Sequence, residues 1–270
     1  MLMLRDMMKI YQQDGLSAEL ASARVCQDIV LMAISKGPFN RNVTIKGGVV
    51  MRSITNNNRR ATRDIDLDFI HYPLSDVGIK TFVEKMNCIR GIEISIVGDI
   101  EELKHQDYHG RSVKVQIKDQ NGTIINSKMD IGVHKHFELE QDQYCFDICM
   151  DENGASLLKN SVEQSFTEKL RSLLIFGPNS RRYKDIFDLY YLKDVVECEK
   201  LCNTIQLLIF NDTGMRENDY ESIIKRVENT FSDSQYLQRV SLSKQKWVDD
   251  DIQTIADKIL AWLKNLNNYS

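Results

Sequence analysis

Apolar residues recur at helical spacing at both ends of the chain. The N-terminal pattern, with Val25, Ile29 and Ala33 on one face, predicts helical structure over residues 1–36 that ends at Gly37-Pro38. From Ser165 onward the helical spacing returns and predicts an all-helical C-terminal half. The predicted helices of that half cover residues 165–176, 183–192, 198–210, 217–231 and 251–266.

Between these helical ends, short segments alternate between apolar and polar residues, as strands with one buried face do. The predicted strands cover residues 43–45, 64–68, 92–97, 113–117 and 123–133, with short helices at 49–54 and 79–89. The dipeptide Asn121-Gly122 separates two of the strands and predicts a β-hairpin. Residues 145–160 are predicted to be a transition between two regions.

These patterns predict an α/β (α+β) fold in two domains. Residues 1–160 would form a mixed β-sheet with flanking helices, and residues 161–270 would form a helical domain. A chain of 270 residues can bury a core of that size, and its 42% hydrophobic and 27% charged residues are typical of a soluble globular protein.

Composition and charge narrow the function classes. No apolar run reaches the roughly 18 residues of a membrane span, and the N-terminus lacks the layout of a secretory signal. The six cysteines form no zinc-binding set, so we expect reduced, mostly buried thiols in a cytoplasmic protein. A net charge of −4 argues against general electrostatic capture of nucleic acid, although a local basic patch is compatible with it.

A pair of glycines, Gly47 and Gly48, follows the first predicted strand and precedes a short predicted helix. A glycine turn that leads into a helix N-terminus presents free N–H groups and the positive end of the helix dipole to a phosphate. The pair is therefore a candidate phosphate-binding site. A Gly-Gly pair by itself, however, is more often an ordinary turn.

Three aspartates have the spacing expected of a metal site. Asp64 and Asp66 would lie on one face of a predicted strand, and Asp130 is a third carboxylate in a strand context. Neighbouring carboxylates repel each other unless a positive charge lies between them, and hard divalent cations prefer such oxygen ligands. A lone Asp-x-Asp is nevertheless most often a polar strand face or a solvated loop.

Taken with two basic segments of the helical half, these residues resemble the AbiEii/AbiGii toxin family. Its members are nucleotidyltransferase-like toxins of bacterial toxin–antitoxin and abortive-infection systems. The first two family motifs match Gly47-Gly48 with Arg60-Ala-Thr62 and Asp64-Ile-Asp66, and Lys128-Met-Asp130-Ile131. The third motif is matched loosely by Phe166-x-x-Lys169-x-x-Ser172, and the fourth is matched in full by Arg182-Tyr-Lys184-Asp185-Ile-Phe-Asp188.

The resemblance implies a nucleotidyltransferase-like sheet and transfer of a nucleotide from an NTP to an RNA acceptor, with tRNA as the target. It also implies a cognate antitoxin encoded nearby, and Mg²⁺ or Mn²⁺ held by Asp64, Asp66 and Asp130. The predicted catalytic residues are Asp64, Asp66, Asp130, Lys169 and Asp185. The predicted nucleotide-binding residues are Gly47, Gly48, Arg52, Ser53, Thr62, Lys169, Arg182 and Lys184.

Charge and position assign the predicted roles. Asp130 is also the candidate general base, and Lys169 the candidate contact to the triphosphate. Arg182 and Lys184 would contact phosphate or RNA, and Asp185 would orient Lys169 or the nucleotide.

One position departs from the family pattern. Val49 follows the glycine pair where the family often has Thr or Ser. The hydroxyl groups of Ser53 and Thr62, or backbone N–H groups, are then the candidates for that phosphate contact.

Four alternatives remain open at the level of sequence. The chain could be an NTP-binding module without transfer activity, or a metal-dependent nuclease, since clustered carboxylates also serve hydrolysis. The third and fourth motifs could instead be ion pairs that hold two helices together. Arg59, Arg60 and Arg63 could neutralise the aspartates and leave no metal site.

Overall fold

In the computed structural model, which describes residues 3–103 and 110–266, the chain divides into two compact units, Met1–Asn160 and Ser161–Ser270. The first unit combines a mixed β-sheet with helices, and the described part of the second is helical. The predicted fold class, an α/β region followed by an all-helical region, is confirmed.

The N-terminal unit contains four α-helices and eight strands among its described residues. The helices are α1 (Leu4–Gln13), α2 (Ala18–Lys36), α3 (Gly47–Thr55) and α4 (Asp76–Lys85). The strands are β1 (Val43–Lys46), β2 (Ile65–Phe69), β3 (Ile92–Ile96), β4 (Glu101–Glu102), β5 (Arg111–Asp119), β6 (Ile124–Val133), β7 (Asp142–Ile148) and β8 (Asp151–Lys159).

The strands form a mixed sheet in the order β3-β5-β6-β2-β1-β8-β7, with β4 paired to β5. Strand β2 is antiparallel to β1 and parallel to β6, and β1 is parallel to β8. The Asp-x-Asp strand therefore lies in the interior of the sheet, where both of its edges are hydrogen-bonded.

Alternation along β2 gives this strand one apolar face and one acidic face. Ile65, Leu67 and Phe69 are fully buried in the core cluster, which also contains apolar residues of α2. Helix α2 packs against β6 and β8. Because successive strand residues point to opposite faces, the aspartates between these apolar residues face away from that core.

The helical structure predicted over residues 1–36 consists of two helices, α1 and α2. Gly15 adopts φ +90°, which a residue without Cβ tolerates, and Ser17 accepts a hydrogen bond from the N–H of Leu20 at 3.3 Å as the N-cap of α2. A turn therefore separates α1 from α2. Residues 1 and 2 lie outside the described part of the chain.

The prediction for residues 145–160 was wrong, because β7 and β8 form an antiparallel hairpin there. Phe146, Ile148, Ala155 and Leu157 are buried and follow a period of two on each arm, a strand signal that the sequence does contain. The cysteines are free thiols, but of the six only Cys26 is buried, so the expectation of mostly buried thiols was also wrong.

The C-terminal unit contains α5 (Val162–Phe176), α6 (Tyr183–Leu192), α7 (Cys198–Ile205), α8 (Tyr220–Phe231), α9 (Ser234–Ser241) and α10 (Ile252–Leu266). A π-helical turn, Gln206–Phe210, continues α7. Helix α5 packs on α6 and α7, and α10 packs on α6 and α8. Helix α9 was not predicted, although Tyr236, Leu237 and Val240 give it a buried face. Within the residues that the structure describes, no helix is both long enough and apolar enough to cross a membrane.

Candidate active site

The structure brings the predicted metal-binding aspartates to one face of the sheet. Asp66 and Asp130 are register partners on the adjacent parallel strands β2 and β6, so their side chains point the same way. Asp64 precedes β2 directly and is two residues from Asp66, which continues the same alternation. Asp68 lies two residues further along β2 on this face.

Two lysines supply positive charge among these aspartates. Nζ of Lys128 lies 2.9 Å from Oδ2 of Asp130 and 3.7 Å from Oδ2 of Asp64. Nζ of Lys46 lies 2.7 Å from Oδ1 of Asp68, and both of these side chains are buried. We call the residues Asp64, Asp66, Asp68, Asp130, Lys46 and Lys128 the carboxylate strip. Its carboxylates outnumber its lysines, so the strip carries an excess of negative charge.

The pKa of Asp66 reflects both its burial and its charged neighbours. Burial raises the pKa of its carboxyl, Lys46 opposes that rise, and the charges of Asp130 and Asp64 add to it. In addition, Oδ1 of Asp130 is buried and has no hydrogen-bond partner among the described residues. A cation bound beside these carboxylates would stabilise their charged forms.

The side chains of Asp66 and Thr62 leave no room for a Cβ at either glycine of the pair. Gly47 has φ +64°, and a Cβ built on it would lie 2.9 Å from Cγ of Asp66 and closer still to Oδ2. A Cβ on Gly48 would lie 2.9 Å from Cγ2 of Thr62 and closer still to Oγ1. Substitution of either glycine must therefore displace a predicted site residue.

The N-terminus of α3 also contributes a hydrogen bond to the strip. The backbone N–H of Gly48 donates to the carboxylate of Asp66, which lowers the pKa of that group against the effect of burial. This N–H belongs to the candidate phosphate-binding site predicted from the sequence, and in this structure it is hydrogen-bonded to Asp66. A role of the glycine pair toward phosphate stays a prediction.

Arg52, Ser53 and Thr62, all predicted to bind nucleotide, line a cavity in the N-terminal unit. None of the aspartates of the carboxylate strip lines that cavity. The structure thus brings these three residues together, but around a different space from the one that the aspartates face.

Lys169 belongs to an ion-pair network inside the C-terminal unit. Its Nζ lies 2.7 Å from Oδ2 of Asp188 and 3.4 Å from Oδ1 of Asp185, and all three residues are buried. Asp188 also accepts a hydrogen bond from Nε1 of Trp247 at 3.1 Å. Nε of Arg182 lies 3.0 Å from Oδ2 of Asp185. We call these five residues the lysine network.

These contacts show that the third and fourth sequence motifs hold α5 and α6 together through ion pairs. Lys184 lies on α6 and is half-buried. The predicted roles of Lys169, Arg182, Lys184 and Asp185 toward a nucleotide are neither supported nor contradicted by these contacts and stay predictions.

Sequence reasoning did not assign Lys46 and Asp68 to the site, and it quoted Lys128 in the second family motif without giving it a role. The signal for two of them was present, because a period of two places Asp68 on the face of Asp66, and Lys128 on the face of Asp130. Lys46 is recognisable only from the register that sets β1 beside β2. One alternative was that arginines neutralise the aspartates. Arg63 does not support it, because Nη1 of Arg63 lies 2.8 Å from Oε1 of Glu19.

The strip fits a divalent cation in its chemistry. It offers hard carboxylate oxygens, an excess of negative charge and the unpartnered oxygen of Asp130. In the described chain no three Asp, Glu, His or Cys side chains form a ready-made metal cage. The ammonium group of Lys128 lies against Asp130 and near Asp64, so it would have to move aside.

A family comparison identifies the protein family of the chain. The family model described as "Nucleotidyl transferase AbiEii toxin, Type IV TA system" matches residues 29–236 of the 270. The chain belongs to this family. It is accordingly a nucleotidyltransferase toxin of a type IV toxin–antitoxin system, and such a system implies a cognate antitoxin.

Two further comparisons are less informative. One solved structure with similarity to the chain is that of an antigenic nucleotidyltransferase-like protein from Paracoccidioides brasiliensis. The two are 14% identical with a TM-score of 0.47, over 79% of this chain and 92% of that one, which is too low for an argument about function. No curated protein sequence matched the chain.

Proposed function

We propose that the protein transfers a nucleotidyl group from an NTP to a hydroxyl group of an RNA, with tRNA as the acceptor that the sequence resemblance implies. The observation that supports this most directly is the register pairing of Asp66 with Asp130 on adjacent parallel strands. Gly47 lies so close to Asp66 that no side chain fits between them. In a member of a nucleotidyltransferase family, we expect such a set of carboxylates to form the catalytic site.

Asp64, Asp66 and Asp130 would hold Mg²⁺ or Mn²⁺, which when bound supplies positive charge to the triphosphate. Asp130 is the proposed general base, because its Oδ1 is free of hydrogen bonds to the described residues. It accepts the proton of the acceptor hydroxyl as the hydroxyl oxygen forms a bond to the α-phosphorus. The bond from that phosphorus to the β-phosphate oxygen breaks, and pyrophosphate leaves with the electron pair.

Lys128 and Lys46 place positive charge among the aspartates of the strip. Contact with Asp130 and Asp64 raises the pKa of Lys128 above its usual value, although desolvation acts in the opposite direction. The lysine therefore stays charged and can limit repulsion among the aspartates before substrate binds. Lys169, Arg182 and Lys184 stay proposed phosphate contacts on the sequence argument alone.

The test is transfer of label to RNA. Purified protein is incubated with Mg²⁺ or Mn²⁺, each α-labelled NTP in turn, and total RNA or tRNA. We expect labelled RNA with at least one NTP, and a loss of at least about 100-fold for Asp130→Asn, since even outer-shell changes at metal sites cost about 10–100-fold. Glu93→Gln, an exposed strand carboxylate of β3, is the matched control and should retain activity.

Three outcomes would contradict the proposal. Absence of label with every NTP, together with unchanged growth toxicity for Asp66→Ala, would remove the transfer reaction. Shortened RNA in place of labelled RNA would indicate a nuclease. Calorimetric binding of NTP without release of pyrophosphate would indicate a nucleotide-binding module.

A further inference from the structure

Lys128 places a positive charge beside two of the aspartates that are proposed to hold a divalent cation. Its Nζ lies 2.9 Å from Oδ2 of Asp130 and 3.7 Å from Oδ2 of Asp64. The ammonium group therefore lies against the same carboxylate oxygens that a hard cation would use as ligands. A cation that binds these oxygens has to take the place of the ammonium group.

The strand register explains why one lysine reaches both carboxylates. Lys128 and Asp130 are two residues apart on β6, so their side chains lie on the same face of the sheet. Asp66 pairs with Asp130 in the parallel register of β2 with β6, and continuation of that register by two residues sets Asp64 beside Lys128. The lysine is therefore part of the proposed cation site.

Lys128 can leave this position at low cost. Its side chain is 38% exposed, and that of Asp64 is 50% exposed. Ion pairs between side chains of this exposure are weak, because water solvates both groups and salt screens their attraction. The flexible stem of a lysine allows its ammonium group to move into solvent while the backbone of β6 stays in place.

Lys46, the other lysine of the carboxylate strip, is held much more firmly. Its Nζ lies 2.7 Å from Oδ1 of Asp68, and both side chains are buried. Removal of one partner from a buried ion pair is strongly unfavourable, since the other charge is then left uncompensated. Of the two lysines, Lys128 is therefore the one that a cation can displace.

We infer that Lys128 and the divalent cation compete for the carboxylates of Asp130 and Asp64, so that the lysine lowers the cation affinity of the strip. This inference rests on the proposed function, because it takes the strip to be the cation site. Both ions are positive, and they repel each other when they share the same carboxylates. The step is an exchange of ion pairs in which the ammonium group passes into solvent, and no covalent bond changes.

The experiment measures Mn²⁺ binding to the full chain without NTP or RNA, by calorimetry and by the electron paramagnetic resonance signal of free Mn²⁺. Lys128→Met removes the charge and retains an unbranched side chain. We expect it to bind Mn²⁺ at least about tenfold more tightly than the wild type, because no ion pair is broken and the repelling charge is gone. Lys128→Arg keeps the charge and should bind Mn²⁺ no more tightly than the wild type.

Lys114 provides the matched control. It is the register partner of Lys128 on β5, so its side chain lies on the same face of the sheet. Its Nζ lies 3.7 Å from Oε1 of Glu101, and both side chains are exposed. Lys114→Met removes the same charge from the same face without uncovering a carboxylate of the strip, and it should bind Mn²⁺ as the wild type does.

A double variant locates the bound ion. In Lys128→Met/Asp130→Asn the gain in Mn²⁺ affinity should disappear, because one of the two carboxylates that the cation takes over is gone. Retention of the gain would mean that Mn²⁺ binds elsewhere, and this would overturn the inference.

Three further outcomes would also overturn it. These are Mn²⁺ affinity in Lys128→Met no higher than in the wild type, an equal gain in Lys114→Met, and absence of Mn²⁺ binding in both the wild type and Lys128→Met. Labelled RNA together with unchanged Mn²⁺ affinity in Lys128→Met would reject the competition and retain the proposed function. A gain in Mn²⁺ affinity without labelled RNA from any NTP would support the competition and reject the transfer reaction.

Discussion

The carboxylate strip of the N-terminal unit and the lysine network of the C-terminal unit both combine basic side chains with aspartates, but in different proportions. In the strip, Lys46 and Lys128 face a larger number of aspartates, and the pKa of Asp66 is raised by burial and by its acidic neighbours. In the network, the two positive charges of Lys169 and Arg182 are matched by Asp185 and Asp188. Trp247 also donates a hydrogen bond to Asp188. An unbalanced cluster retains charge that a bound cation could neutralise, whereas a balanced one is neutral by itself.

Buried charge is common to both clusters, so burial by itself does not distinguish a catalytic role from a structural one. Both clusters contain buried charged residues, and the sequence argument assigned both to catalysis. The difference lies in the ion pairs, because Oδ2 of Asp185 also lacks a hydrogen bond in the described chain but lies 3.0 Å from Nε of Arg182. Asp130 retains a buried oxygen without a partner in the described chain, while Asp188, fully buried, is held by Lys169 and Trp247.

The largest expected effect is on stability, in the lysine network. Lys169→Met should lower the free energy of unfolding by about 3–5 kcal/mol, because it leaves Asp188 buried without its charged partner. Asp188→Asn in the same chain should restore much of the loss, since the unpaired charge is then gone. Urea denaturation of the single and double variants measures the coupling.

The same double variant separates structure from catalysis. If the stable Lys169→Met/Asp188→Asn protein regains toxicity, Lys169 has a structural role only. If it stays inactive at wild-type stability, Lys169 contributes to the reaction, and the contrast between the two clusters is weaker than the ion pairs suggest.

A smaller and opposite pair of effects is expected within the strip. Asp68→Asn should lower the free energy of unfolding by about 2–3 kcal/mol, because it breaks the buried ion pair with Lys46. Asp66→Asn should not destabilise the protein in a chelator, although it removes the proposed reaction. The folded-state pKa of Asp66 is raised, so its contribution to stability is present at low pH and is lost as the pH rises through that pKa.

The measurement compares denaturation of the wild type and of Asp66→Asn at about pH 5 and about pH 8, above the usual carboxyl pKa of about 4. The wild type should lose stability relative to Asp66→Asn over this interval. A gain for the wild type would mean that Asp66 is well paired and that the strip needs no added cation. Restoration of the wild type alone by Mn²⁺ would strengthen the comparison.

The smallest expected effect concerns Gly47. Gly47→Ala should cost about 1–2 kcal/mol for the left-handed backbone alone, and the new Cβ must also move Asp66. We therefore expect a loss of RNA labelling out of proportion to the loss of stability. Gly98→Ala, also at positive φ but in open space, is the control and should retain activity. Normal labelling by Gly47→Ala would contradict the close approach of the glycine to Asp66.

Much of the fold was predictable because hydrophobic periodicity reports burial directly. The alternation around Asp64 and Asp66 predicted β2, and the glycine pair predicted the start of α3. The hairpin β7–β8 was missed although Phe146 and Leu157 carry its period, since polar residues at its turn obscure a short pattern. The break between α1 and α2 at Gly15 depends on a single backbone torsion, which the spacing of apolar residues does not reveal.

By itself, the sequence determined the residue types of the site, the strand faces on which they lie and the family to which the chain belongs. The tertiary structure decided which charges meet, because only the register of β2 with β1 and β6 places Asp66 beside Asp130, and Asp68 beside Lys46. It also decided that Lys169 is paired and that the buried guanidinium of Arg52 has no hydrogen-bond partner in the described chain. Pairing between distant segments depends on distances that local composition does not encode, and a few ångströms separate a neutralised charge from an unsatisfied one.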